Sequence, residues 1–130
     1  MTTRQPDGWH TLTTRVVATD PERLVQFLRD VFHDVGDFRP DRPAEMRIGD
    51  SVLMVSGADE RSPFPAFVYI YVDDADAVYR RALAKSATSL EEPMDTPYGD
   101  RRAMVRDSWG NVWQIATRGA DVADEASPGR

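Results

Sequence analysis

A chain of 130 residues, 41% apolar and 29% charged, has the composition of one globular domain with room for a real core. The absence of cysteine excludes disulfides, thiolate catalysis and thiolate metal sites. The net charge of -6 argues against a nucleic-acid partner. No apolar run approaches the ~20 residues of a membrane span, and Met1–Asp7 lacks the apolar centre of a signal peptide, so no membrane partner and a cytoplasmic location are expected.

In chain order, Trp9 to Thr19 reads as a strand, with Leu12, Thr14, Val16 and Ala18 on one face and Thr11, Thr13, Arg15 and Val17 on the other. Asp20-Pro21 starts a helix, with Asp20 as N-cap and Pro21 at the first helical position. Leu24, Phe27, Leu28, Val31 and Phe32 form its apolar stripe, and Gly36 is expected to end it. Residues 37–43 are polar and broken by proline, so any strand there is short and at an edge. Ala44 to Ile48 and Ser51 to Ser56 form a hairpin about Gly49-Asp50, and Gly57 to Pro65 reads as a linker.

The order then repeats. Ala66 to Val72 is a strand, and Asp73-Asp74 caps a helix with the stripe Ala75, Val78, Tyr79, Ala82 and Leu83. A short extended piece, Thr88 to Leu90, and a loop over Pro93–Pro97 follow. Arg101 to Arg106 and Val112 to Thr117 then form a hairpin whose turn chemistry lies in Asp107–Asn111. Gly119 to Arg130 is small, acidic and poor in apolar residues, and is expected to be a disordered tail. Strand, helix and a run of strands, twice over, is a duplication at the level of pattern. It predicts a single α+β domain of two modules, about 9–56 and 66–118, joined by the linker 57–65. Helices would cover one face of a curved mixed sheet, and the other face would form a cleft.

Three stretches carry a resemblance. Tyr71-Val72-Asp73-Asp74-Ala75-Asp76-Ala77-Val78-Tyr79, Tyr98-Gly99-Asp100-Arg101 and Arg106-Asp107-Ser108-Trp109-Gly110-Asn111-Val112-Trp113 together resemble the glyoxalase/bleomycin resistance/dioxygenase family, the vicinal-oxygen-chelate fold. The match is nearest to the PhnB-like branch, which Ala44-Glu45-Met46-Arg47-Ile48-Gly49-Asp50-Ser51 also resembles. The resemblance covers about residues 9–118 and implies paired βαβββ modules around a cavity, with dimerisation. It implies no single function, because this fold hosts lyases, epimerases, dioxygenases and drug-sequestering proteins. The family's metal enzymes place a ligand on the first and last strand of each module. The matching positions here are Thr13, Met54, Phe67 and Gln114. Zinc, nickel or iron wants imidazole or carboxylate there, so no metal and no cofactor is expected.

What remains is a wall for a small-molecule ligand. Phe67, Tyr69 and Tyr71 share one face of a strand. For Phe67, core packing and ligand contact compete evenly, whereas two tyrosines suit a ligand wall, since each hydroxyl needs a partner. Met54, Met104 and Trp109 could extend the wall, with Gln114 as a polar anchor. Alternation puts Arg102, Met104 and Arg106 on one face and Arg101, Ala103 and Val105 on the other. Salt bridges from these arginines to Asp100 or Asp107 are favoured over a substrate carboxylate clamp. Of the two histidines, His33 suits a helix cap or the surface. His10 and Glu45 would enter the cleft only through a bulge or shifted register, and would then support the alternative, a metal-dependent lyase, isomerase or dioxygenase. The expectation is a metal-free small-molecule binding protein, an antibiotic or natural product being one candidate ligand, and a homodimer.

Overall fold

The computed structural model describes residues 4–59 and 61–119, so the expected tail lies outside the described residues except for Gly119. The chain folds as two compact units, each a mixed sheet with one helix. The first runs through Ala66 and also takes Trp109–Asn111; the second takes the chain from Phe67, without those three residues.

The first unit contains β1 (Thr14–Ala18), α1 (Pro21–Phe32), β2 (Ala44–Ile48) and β3 (Ser51–Gly57). Its sheet order is β1-β3-β2, with β1 parallel and β2 antiparallel to β3. The first strand is shorter than the expected Trp9–Thr19. Thr14 pairs with Leu53, so a longer β1 would soon run past Ser51, where β3 begins. Asp20 caps α1 as expected, its Oδ1 accepting the Arg23 N–H at 3.3 Å. Leu24, Phe27, Leu28 and Val31 of the stripe are buried, together with Val25. They lie against the sheet face of Val16, Ala18, Ala44, Met46, Leu53 and Val55, all buried. Arg15, Glu45 and Met54 lie on the opposite face.

The helix does not end at Gly36. It stops at Phe32, and His33 takes the left-handed conformation (φ 58°) while its N–H reaches the Leu28 carbonyl. Gly36, at φ 150°, serves a different need: a Cβ there would lie 2.5 Å from the Glu45 carbonyl oxygen and 2.8 Å from the Met46 sulfur. That close approach lets Val35 bridge Arg47 through hydrogen bonds of 3.0 and 2.8 Å. The bridge is all that remains of the second strand of a βαβββ module, since Pro40 and Pro43 break the segment that would extend it. On the far edge of the sheet Phe64, at the end of the expected linker, pairs with Val17.

The second unit contains β4 (Phe67–Tyr71), α2 (Ala75–Ala84), β5 (Thr88–Asp95), β6 (Asp100–Arg106) and β7 (Val112–Arg118). Its sheet order is β4-β7-β6-β5, with β4 parallel to β7 and the other pairs antiparallel. The loop expected at Pro93 is part of β5. An edge strand tolerates proline, and the register shifts around Glu91 absorb it. Asp74 caps α2 by accepting from the Ala77 N–H at 3.1 Å. Thr117 adds a second cap, its hydroxyl accepting from the Ala75 N–H and donating to the Val72 carbonyl. Trp113, Ile115, Ala103 and Val105 form the covered face of the sheet, with Val78 and Ala82 of α2 buried above it. Trp113 donates its indole N–H to the buried Asp107 at 2.9 Å, which ties the turn aspartate into the core. Among the described residues no helix is long and apolar enough to cross a membrane.

Candidate functional site

Strand registers place six of the nine expected ligand residues on one face of the second sheet. Tyr69 pairs with Gln114 and Gln114 with Met104, so these three form a row across β4, β7 and β6. The adjacent row is Tyr71, Ala116 and Arg102, and Phe67 stands beside Val112 on the other side. This is the face away from α2, whose core partners are the alternate residues. Its aromatics are open to solvent: Phe67 is 69% exposed, Tyr71 49% and Tyr69 36%. Even contest or not in sequence terms, Phe67 is therefore not a core residue of this unit.

The other three positions lie elsewhere. Met54 is half-buried on the open face of β3 in the first unit, and Thr13 precedes β1. Trp109 belongs to the first unit, where its ring meets the edge of Phe27 at 6.1 Å. That contact ties it to the buried stripe of α1.

The hydroxyls of the tyrosine wall are not waiting for a ligand. Asp100 Oδ2 accepts from Tyr69 at 2.7 Å and from Tyr71 at 2.8 Å, and the two rings lie 5.5 Å apart. Asp100 is 1% exposed, and its other oxygen faces the Arg118 guanidinium at 3.4 Å. Burial disfavours its charge, but the hydrogen bonds from Tyr69, Tyr71 and Arg118 outweigh that and hold the carboxyl below its usual range. The same pairing works in reverse on Tyr69. Partial burial, then the bonds to Tyr98 and Asp100, push its phenol well above the ordinary value. Asp100 thus serves as a charged acceptor and Tyr69 as a neutral donor, an arrangement that suits a rigid wall.

The network continues across the face. Arg102 grips Glu91 Oε1 through two nitrogens, at 2.7 and 3.2 Å, and donates to the Tyr98 hydroxyl at 3.0 Å. Tyr98 in turn lies 3.3 Å from the Tyr69 hydroxyl. The expected partners of the arginines are corrected here. Arg102 pairs with Glu91, and Arg101, on the helix side, pairs with Asp76 and Asp95. Neither bridges Asp100 or Asp107, because β5 and α2 bring carboxylates closer. Asp100, Tyr98, Glu91 and Arg118 were not singled out as site residues in the sequence. Besides its place in the Tyr98-Gly99-Asp100-Arg101 stretch, the signal for Asp100 is the need of two tyrosine hydroxyls on a common face for a shared acceptor.

The positions that the resemblance matches to the ligands of metal enzymes of this fold do not fit a metal. Thr13 and Met54 in the first unit, and Phe67 and Gln114 in the second, supply no imidazole and no carboxylate. Among the described residues no three His, Asp or Glu side chains converge in a metal-holding group. His10 points its Nε2 at Asp50, 3.6 Å away, while Glu45 lies opposite Met54 on the open face of the first sheet. His33 is the exposed cap of α1.

Comparison with known proteins gives a consistent result. The family model described as Glyoxalase/Bleomycin resistance protein/Dioxygenase superfamily matches residues 9–115. Among solved structures the chain is similar to TioX from Micromonospora sp. ML1, with 26% identity and a TM-score of 0.73 over 84% of this chain and 98% of that one. A glyoxalase/bleomycin resistance protein/dioxygenase family enzyme from Burkholderia phytofirmans superposes with a TM-score of 0.69 at 20% identity, over 82% of this chain and 96% of that one, a likeness of fold alone. A Mycobacterium bovis protein and a Mycobacterium tuberculosis protein are each 30% identical over 73 residues, 52% of this chain. The matched stretch spans less than half of these curated relatives, 48% of the first and 43% of the second.

Proposed function

From the premise that the chain belongs to the Glyoxalase/Bleomycin resistance protein/Dioxygenase superfamily, we propose that it is a metal-free binding protein for a small, flat, largely apolar molecule. The observation that carries this reading is the solvent-open row of Phe67, Tyr69 and Tyr71 beside Met104 and Gln114. Exposed aromatic rings on a rigid sheet offer stacking area at low entropic cost. The ring faces also favour a cationic group on the ligand, in keeping with the net charge of -6. Gln114, half-buried in the middle of the row, supplies one donor and one acceptor to orient the ligand. Arg102, held by Glu91 and Tyr98, sets the rim rather than clamping an anion.

A natural product or antibiotic is the ligand class in keeping with a family whose description includes bleomycin resistance proteins. Assignment to the PhnB-like branch, a cytoplasmic location and assembly as a homodimer belong to the same proposal. The exposed Phe67 on the edge strand β4 is a feature that a second copy could cover. Isothermal titration with flat, hydrophobic and cationic drugs is the test. At least one should bind with micromolar affinity, and Tyr71→Ala should weaken it about tenfold, as expected when one stacked ring worth roughly 1.4 kcal/mol is lost. Absence of binding, together with a stoichiometric ion retained through dialysis and activity that needs it, would favour the metal-dependent lyase, isomerase or dioxygenase instead.

A further inference from the structure

The first unit holds a cleft of about 320 Å³ whose rim carries four arginines, Arg15, Arg39, Arg42 and Arg61. This is an unusual concentration in a chain with 16 basic and 22 acidic residues, because a quarter of the positive charge lines one hollow. Two carboxylates share the lining, Asp41 and Asp59, so the cleft keeps an excess of positive charge. Only Arg42 has one of them close, Asp41 at 3.9 Å. Among the described residues Arg39 and Arg61 make no ion pair or hydrogen bond. Arg15 is anchored through its Nε, which donates to the buried Ser56 hydroxyl at 2.8 Å, and its two terminal nitrogens are left for another acceptor. Like charges gathered in excess of their counter-charges repel one another, and a bound anion relieves that repulsion.

The walls say more about the ligand. Phe38 and Pro43 give the same hollow an apolar flank suited to a ring. We infer that this cleft binds a small aromatic or otherwise flat oxyanion, a carboxylate or a phosphate ester, whose charged end is forked by Arg15 with Arg39 and Arg61. Guanidinium groups match both anions with paired N–H donors, so carboxylate and phosphate share the recognition chemistry. The inference does not depend on the reading of the second sheet, because every group in it belongs to the first unit.

Calorimetric titration of the full chain with benzoate, phenyl phosphate and phenol tests it. At least one of the two anions should bind about tenfold or more tightly than phenol, and added salt should weaken that binding. The tighter of the two identifies the source, a carboxylate or a phosphate ester. The double variant Arg39→Gln/Arg61→Gln removes two exposed charges that have no ion-pair partner among the described residues, so its melting temperature should match that of the wild type while anion binding falls at least about tenfold. Equal affinity for phenol, no anion binding up to millimolar concentration, or undiminished anion binding by the double variant would each overturn the inference.

Discussion

Two aspartates show how differently one residue type behaves in this molecule. Asp100 is buried but accepts from two tyrosines and an arginine, so it stays charged. Its lowered pKa means that it stabilises the fold above the ordinary carboxylate range and that this contribution is lost as the pH falls through the folded value. Asp100→Asn should cost about 2 kcal/mol at neutral pH, the usual loss when a charged acceptor of buried donors is replaced. Urea unfolding at pH 7 and at pH 3 should show the gap between variant and wild type closing on the acid side. Asp34 is the opposite case. It is 6% exposed, neither carboxylate oxygen has a partner among the described residues, and burial raises its pKa to about 8. A raised carboxyl pKa stabilises most at low pH, where the group is neutral in both states, and that stability drains away as the pH climbs from about 4 towards about 8. Asp34→Asn should therefore flatten the fall in melting temperature between pH 5 and pH 8, pH values chosen at about the limits of that range. At pH 7 it should add stability on the order of a few kcal/mol.

At the scale of elements, caps and edges explain where the sequence was legible. Both helices start where Asp20 and Asp74 lead, because an N-cap is a local signal of three or four residues. Their ends were harder to read. His33 closes α1 in a left-handed conformation that costs any residue with a Cβ, and Gly36, three residues on, attracted the assignment because glycine is the common cap. His33→Gly should relieve that cost and raise stability by about 0.5–1 kcal/mol, measured by chemical denaturation, with the helix content by circular dichroism unchanged. Strand ends depend on a partner. The first strand looked longer than it is because β3, 39 residues away in sequence at the Thr14–Leu53 pair, supplies too little ladder for it. Pro93 looked like a break because a single sequence does not reveal that β5 is an edge strand with shifted register.

For the molecule as a whole, the repeated order of strand and helix was readable, and so was the common face of Phe67, Tyr69 and Tyr71, since both follow from periodicity. The fillings of that face were not. Tyr69 and Tyr71 reach across β7 to Asp100, 31 and 29 residues later, and Arg102 turns back to Glu91 on the other side. Those pairings are set by sheet order, which alternation alone does not specify. Nor did periodicity reveal the arginine-lined cleft, whose members come from β1, from the broken segment after α1 and from the residues before Phe64.

The first unit is discontinuous in sequence, because Trp109–Asn111 completes it after more than forty intervening residues. Asn111 is fully buried and accepts the Ala66 N–H at 2.9 Å, and Trp109 shields the edge of Phe27. A nascent chain emerging from the ribosome therefore reaches Ala66 with that half still lacking its last two fittings. The first unit is thus finished only by residues that follow β6 in the chain.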